Sequence, residues 1–268
     1  MHKIIQITDT HLVPPGHTLF GIDPATRLRK VLAHSKYAHA DADAIVITGD
    51  LVDTGDRFAY KLLHDILDDV PIPVYLTIGN HDNRIAFREV FGGDGFVQTT
   101  FDIGNWRVLV LDTNDAGMDC GALDGGRLQW LDEQLAAAKE KPVLIAMHHT
   151  PSNFHAPFFG VEDDMKDPGS FLRVIKKYGN VRHLLFGHRH LSVSGSFCGI
   201  PFTASRGTSH HIALDFQQHG RSMLVAAAPS YDVVFLSDES VVVHSHHGLD
   251  TYHAIRAGDV KNELYAVA

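Results

Sequence analysis

The chain has 268 residues, 44% of them hydrophobic and 21% charged, which is ordinary composition for one large globular domain with a sizeable core. A formal net charge of −9 argues against a nucleic-acid-binding surface, though not against a phosphate-bearing substrate, since bound cations can reverse the local sign. Two cysteines, Cys120 and Cys198, supply neither a disulfide framework nor a thiolate zinc site, and no run has the length of a membrane span. A cytoplasmic protein is the expectation. The unusual number is twenty histidines.

In chain order, Lys3 to Ile7 predicts a strand, followed at once by Asp9-Thr10-His11. In an extended segment the D-x-H spacing directs a carboxylate and an imidazole to one side. After a proline-rich loop, Val13 to Gly16, Pro24 opens a helix with Leu28, Val31, Leu32 and Ser35 at helical spacing. Ile45 to Ile47 reads as a strand buried on both faces and ending in Gly49-Asp50, with Asp53 beyond. A helix carrying Phe58, Leu62, Ile66 and Leu67 precedes the strand Val74 to Ile78, which ends in Gly79-Asn80-His81-Asp82. Strand, helix and strand in alternation imply βαβ units.

Then the rhythm changes. Phe96 to Ile103 and Trp106 to Leu111 read as a hairpin around Gly104-Asn105. A helix with Leu128, Leu131 and Leu135 leads to the strand Val143 to Met147, ending in His148-His149. Another helix, around Phe171 to Tyr178, leads to the strand Val181 to Phe186, ending in Gly187-His188-Arg189-His190. Short β segments follow from Val193, and beyond Ser205 they continue at Met223 to Ala228, Asp232 to Leu236 and Ser240 to His244. Residues 1–205 are therefore expected to form the core, and 206–268 a β-rich segment continuous with it.

Five strands thus end in Asp, Asn or His. A donor set of carboxylate, amide and imidazole without thiolate suits Mn, Fe, Co or Zn. So many donors exceed one cation's need and suit two, a recurrent device for phosphoester hydrolysis.

In this order the motifs Asp9-Thr10-His11, Gly49-Asp50-Leu51-Val52-Asp53, Gly79-Asn80-His81-Asp82, His148-His149 and Gly187-His188-Arg189-His190 resemble the calcineurin-like metallophosphoesterases. The class III cyclic-nucleotide phosphodiesterases and bacterial glycerophosphodiesterases are the most similar subgroup. The resemblance implies a four-layer αββα sandwich with a C-terminal cap and oligomerisation segment, so a homo-oligomer is expected. It also implies two divalent metal ions, one on Asp9, His11 and His190, the other on Asn80, His148 and His188, with Asp50 bridging. His149 and Asp53 are implied to support those ligands, and His81 to contact the phosphate or assist the leaving group. His210, within Gly207 to His210, is implied to face the substrate.

The reaction so implied is hydrolysis of a small phosphodiester by a hydroxide generated at the metals. The alternatives are a phosphonate monoester or broad phosphoesterase activity, or a non-catalytic scaffold. Neither a nucleic acid polymer nor a membrane is expected as partner. Phe158-Phe159, in the loop Phe154 to Val161, are candidates to wall the pocket, Arg189 is expected to face away from the metals, and His244, His246 and His247 read as surface residues. A cyclic nucleotide would need an aromatic or apolar surface for its base, a glycerophosphodiester a small polar pocket, and neither is legible.

Overall fold

A computed structural model of the chain describes residues 1–156, 164–217, 223–246 and 249. Two sheets lie face to face between helices. The first has five strands in the order β13-β12-β1-β2-β3 and contains β1 (His2–Ile7), β2 (Ala44–Thr48), β3 (Val74–Thr77), β12 (Tyr231–Leu236) and β13 (Val241–His246). The second has six, in the order β4-β5-β6-β7-β9-β8. They are β4 (Thr99–Ile103), β5 (Trp106–Leu111), β6 (Val143–Met147), β7 (Val181–Phe186), β8 (Val193–Phe197) and β9 (Ile200–Ala204).

Alternation along each strand explains the layering. On β1, Ile5 and Ile7 join the cluster under α1 (Pro24–Ala38) and α2 (Arg57–Asp68). Ile4, on the other face, joins Val46, Val108, Val110, Leu144, Leu185 and Val234 in the cluster between the sheets. Leu109, Ile145 and Leu184, on the far face of the second sheet, pack under α4 (Gly125–Ala137) and α5 (Pro168–Lys176). The expected αββα sandwich is observed. Each helix begins at a short polar side chain that accepts from its first free backbone N–H groups: Asp23, Asp56, Asn83, Asp124 and Asp167.

Three details depart from the sequence reading. The helix α3 (Arg84–Phe91), capped by Asn83, is unanticipated because only Phe87 on it is buried, so its apolar stripe is thin. On α2 the buried face is Ala59, Tyr60, Leu63 and Ile66, whereas Phe58 is exposed. Beyond Ser205, β10 (His211–Ile212) and β11 (Leu224–Val225) form a small ribbon, while β12 pairs antiparallel with β1 and carries β13 at the sheet edge. Among the described residues no helix is long and apolar enough to cross a membrane.

Candidate metal centre

β1, β2 and β3 run parallel in one sheet, and β5, β6 and β7 run parallel in the other. The segments following β1, β2, β3, β6 and β7 converge at one end of the sandwich, where they carry Asp9, His11, Asp50, Asn80, His148, His188 and His190. The loops are laced together: Asp9 N–H donates to Gly49 O at 3.1 Å, His11 N–H to Asp50 O at 2.9 Å, and the His188 amide to both oxygens of Asp9. Among the described residues eight other than glycine have positive φ, and five of these are Asp9, His11, Asp50, His188 and His190. A backbone region that L-residues avoid is thus concentrated on the donors, as expected where the surroundings impose the geometry.

Glycine creates the close approach. A Cβ on Gly79 would stand 2.3 Å from Asp50 Oδ1 and 2.5 Å from His148 Nε2. Gly49, at φ +90°, has His148 Nδ1 only 2.6 Å from where its Cβ would be.

The tautomers follow from the partners. His148 Nδ1 donates to the Thr48 carbonyl at 2.8 Å, and His190 Nδ1 to the His210 carbonyl at 2.8 Å. His11 Nδ1 donates to Asp53 Oδ1 at 3.1 Å. Wherever the ring is neutral, its Nε2 therefore carries a lone pair directed inward. His11 Nε2 and His190 Nε2 lie 3.2 Å apart, and His148 Nε2 lies 3.1 Å from Asn80 Oδ1 and 3.3 Å from Asp50 Oδ2. Asp50 Oδ2 is also 3.5 Å from His11 Nε2, and Asp9 Oδ1 is 3.4 Å from His190 Nε2. Acceptors packed this closely without intervening protons fit divalent cations.

Burial lowers the pKa of His11, pushes that of His188 well down and brings His190 to about 4, keeping these rings neutral and fit to ligate. His148 is the opposite case. Burial works against its charge, yet the Asp50 carboxylate outweighs it and raises the pKa to about 9, so a proton occupies this position unless a metal does.

Among the described residues, the clusters whose donor atoms lie within 4.8 Å of one another are Asp9/His11/Asp50/His190, His11/His190/His210, His148/His149/His188 and His11/Asp53/His81. Asp50 reaches both halves through His11 and His148. Asp53 braces His11 Nδ1, and its carbonyl accepts from His81 Nδ1 at 2.7 Å. His149 Nδ1 lies 2.8 Å from Thr113 Oγ1, with its ring 4.8 Å from His188. His81 is exposed, with its ring 4.6 Å from that of His11. His210 is buried against His190 at 4.2 Å.

Arg189 is buried and pairs with Asp164. Phe154 stacks on Phe202 in the second core, while Phe158, Phe159 and His247 lie outside the described residues. His244 is exposed, and His246 is half-buried, stacked on Tyr231 at 4.9 Å.

Sequence reasoning misses Asp82 as a structural clamp. Its carboxylate accepts from Leu51, Val52 and Gly79 amides and from Tyr60 Oη at 2.8 Å, tying two donor loops together. Burial and the nearby Asp50 charge push its pKa up to about 7. Its place beside His81, in a motif already singled out, is the only signal that could have found it.

Residues 2–192 match the family described as calcineurin-like phosphoesterase. The chain is 33% identical over 250 residues to a probable cyclic nucleotide phosphodiesterase of Rhodopseudomonas palustris, covering 90% of this chain and 91% of that one. It is 26% identical over 243 residues to a probable glycerophosphodiester phosphodiesterase of Arcobacter nitrofigilis, covering 88% and 89%. The fold is similar to that of a dimetal phosphatase from Danio rerio, with a TM-score of 0.66 at 16% identity, covering 91% and 95% of the two chains. With its family match spanning the core and every donor motif, the chain belongs to the calcineurin-like phosphoesterases.

Proposed function

We propose that this protein is a metal-dependent phosphodiesterase that hydrolyses small diesters, either 3',5'-cyclic nucleotides or glycerophosphodiesters, with two divalent cations drawn from Mn, Fe, Zn and Co. The observation that carries the reading is the set of inward-facing acceptors, above all His11 Nε2 and His190 Nε2 at 3.2 Å. Asp9, His11 and His190 would hold one ion, Asn80, His148 and His188 the other, and Asp50, within reach of both groups, would serve both. Bound together, two such ions neutralise phosphate charge and lower the pKa of water, which supplies a nucleophile at neutral pH.

The remaining chemistry belongs to the chain. His81 is fixed by its Nδ1–H bond to the Asp53 carbonyl, which leaves Nε2 for the substrate. Burial disfavours its charge, but the carboxylates of Asp50 and Asp53 and the Asp53 carbonyl outweigh that and raise its pKa. A protonated His81 donates to a phosphate oxygen or to the departing alkoxide. His210 borders the substrate on the His190 side, and Asn80 contributes its amide to phosphate binding as well as to the second ion.

The same reading assigns residues 206–268 to a cap and to contact with a second copy of the chain. Leu214, Phe216, Met223, Leu224 and Val225, on and beside the β10–β11 ribbon, are all exposed, an apolar grouping suited to burial between subunits. Two free cysteines suit a reducing, cytoplasmic setting.

The test pairs metal analysis with hydrolysis of bis(p-nitrophenyl) phosphate, cyclic AMP and glycerophosphoethanolamine. Asp50→Ala is expected to lose both bound metal and turnover. Full metal content and full activity in that variant would sink the proposal.

A further inference from the structure

A cyclic nucleotide and a glycerophosphodiester share the diester group and differ in what hangs from it, a planar aromatic base or a short polar chain. Among the described residues, Phe20 is a large apolar side chain beside the site that folding does not explain. Phe20 lies between His11 and α1, in a tight turn closed by Leu19 and Ile22, whose backbone N–H groups donate to each other's carbonyls at 2.9 and 2.8 Å. Its φ of +51° is a left-handed conformation that disfavours a bulky residue, yet the residue is 63% exposed. Neither backbone preference nor core burial selects phenylalanine here.

The ring nevertheless has a definite place. It meets His210 at 5.5 Å and 82°, a near-perpendicular contact that leaves a flat face open to solvent. His210 in turn stacks on His190 at 4.2 Å and lies 5.2 Å from His11. Its loop is pinned to the site, with Thr208 N–H donating to Thr8 O and Ser209 N–H to Asp9 O. Phe20 is therefore two ring contacts from the acceptor cluster, on the His210 side, while His81 forms another part of the rim. With a phosphate held among His11, His190 and His81, a substituent directed toward His210 would meet Phe20.

We infer that Phe20 is a specificity-determining residue, a stacking platform for an aromatic substituent of the diester, and therefore that the preferred substrate class is the nucleobase-bearing one. The inference rests on the phosphodiesterase reading. Stacking of a base on an aromatic side chain contributes about 1–3 kcal/mol. A glycerol chain gains little on the same face, since its hydroxyls lose water there without a new partner.

The test compares wild type, Phe20→Ala and Phe20→Trp, full-length and Mn-loaded, on cyclic AMP and glycerophosphoethanolamine. Phe20→Ala is expected to raise KM for cyclic AMP about tenfold with kcat within about twofold, and to leave glycerophosphoethanolamine kinetics unchanged. Phe20→Trp is expected to keep the wild-type KM. The fluorescence of 2-aminopurine riboside monophosphate, which falls on stacking, should drop with wild type and not with Phe20→Ala.

Equal losses on both substrates would reduce Phe20 to a structural role. Unchanged cyclic AMP kinetics would remove it from the site. Either result overturns the inference and leaves the phosphodiesterase reading standing, as does a wild type that hydrolyses only the aliphatic diester. A wild type inactive on all diesters removes the underlying reading itself.

Discussion

His11 and His190, far apart in sequence and on loops that follow strands of different sheets, point their Nε2 lone pairs at each other across 3.2 Å, because Asp53 and the His210 carbonyl hold the opposite nitrogens. Two acceptors in that relation repel unless a cation or proton lies between them. Chelation should therefore destabilise the protein. With metal at about one hundred times its dissociation constant the linkage is worth about 2.7 kcal/mol. For a chain of this size that corresponds to a fall in Tm of roughly 5–10 °C. Calorimetry with and without EDTA measures it, and adding back Mn or Zn should restore the original Tm.

Gly79→Ala should abolish metal binding without unfolding the chain. Gly79 does not need a left-handed conformation, but its added methyl would collide with Asp50 Oδ1 and His148 Nε2. Near-native circular dichroism with metal content reduced to background is the expected pair of results; a fully loaded variant would show that the donor loops can part.

Asp53→Ala should weaken metal binding about 10–100-fold, because losing a partner that orients an imidazole has that typical cost. Its carboxylate touches His11 Nδ1, and Asp50 and the other donors remain. Activity should return when metal is raised in proportion, which separates a loss of affinity from a loss of chemistry. Activity that stays low at saturating metal would contradict this.

His81→Ala should lower kcat by about 10²–10⁴ while leaving bound metal near wild type. The loss should be larger for glycerophosphoethanolamine, whose leaving alkoxide needs a proton, than for bis(p-nitrophenyl) phosphate, whose leaving group does not. Equal losses on the two substrates would remove the proton-donor role.

Asp232 makes stability depend on pH. It is buried between the sheets opposite Gln6, and burial pushes its pKa up to about 6 from 3.8, against the opposing hydroxyls of Ser245 and Ser205. The folded state thus binds a proton more tightly than the unfolded chain. Stability contributed by this group is present at low pH and falls as pH rises from about 4 to 6, by about 3 kcal/mol in all. Asp232→Asn should remove that slope and be the more stable protein at pH 7.5. Denaturant titrations at pH 4.5 and 7.5 on both proteins provide the comparison.

The candidate donors could be picked out in the sequence because Asp, Asn and His follow the strand ends. Short apolar runs broken by glycine and followed by Asp, Asn or His mark the positions, and motif order adds the likeness to a two-metal family. The β/α order of the core was legible for the same reason, since side-chain periodicity is local. Helix α3 was not, because a single buried Phe87 leaves little periodic signal. The part played by Asp82 was not, because its carboxylate serves amides on another loop. Nor was the pairing of β12 with β1, which joins the end of the described chain to its beginning.

The identity of the candidate donors and their spacing along strands were thus determined by sequence alone, since residue type and local periodicity are written there. Only the tertiary structure decided which atoms face each other. It turned each imidazole by giving its Nδ1 a fixed acceptor, set Asp50 Oδ2 near both His11 and His148, and left the ring of Phe20 against His210 at the rim. Those relations depend on contacts between segments far apart in the chain, and no local pattern carries them.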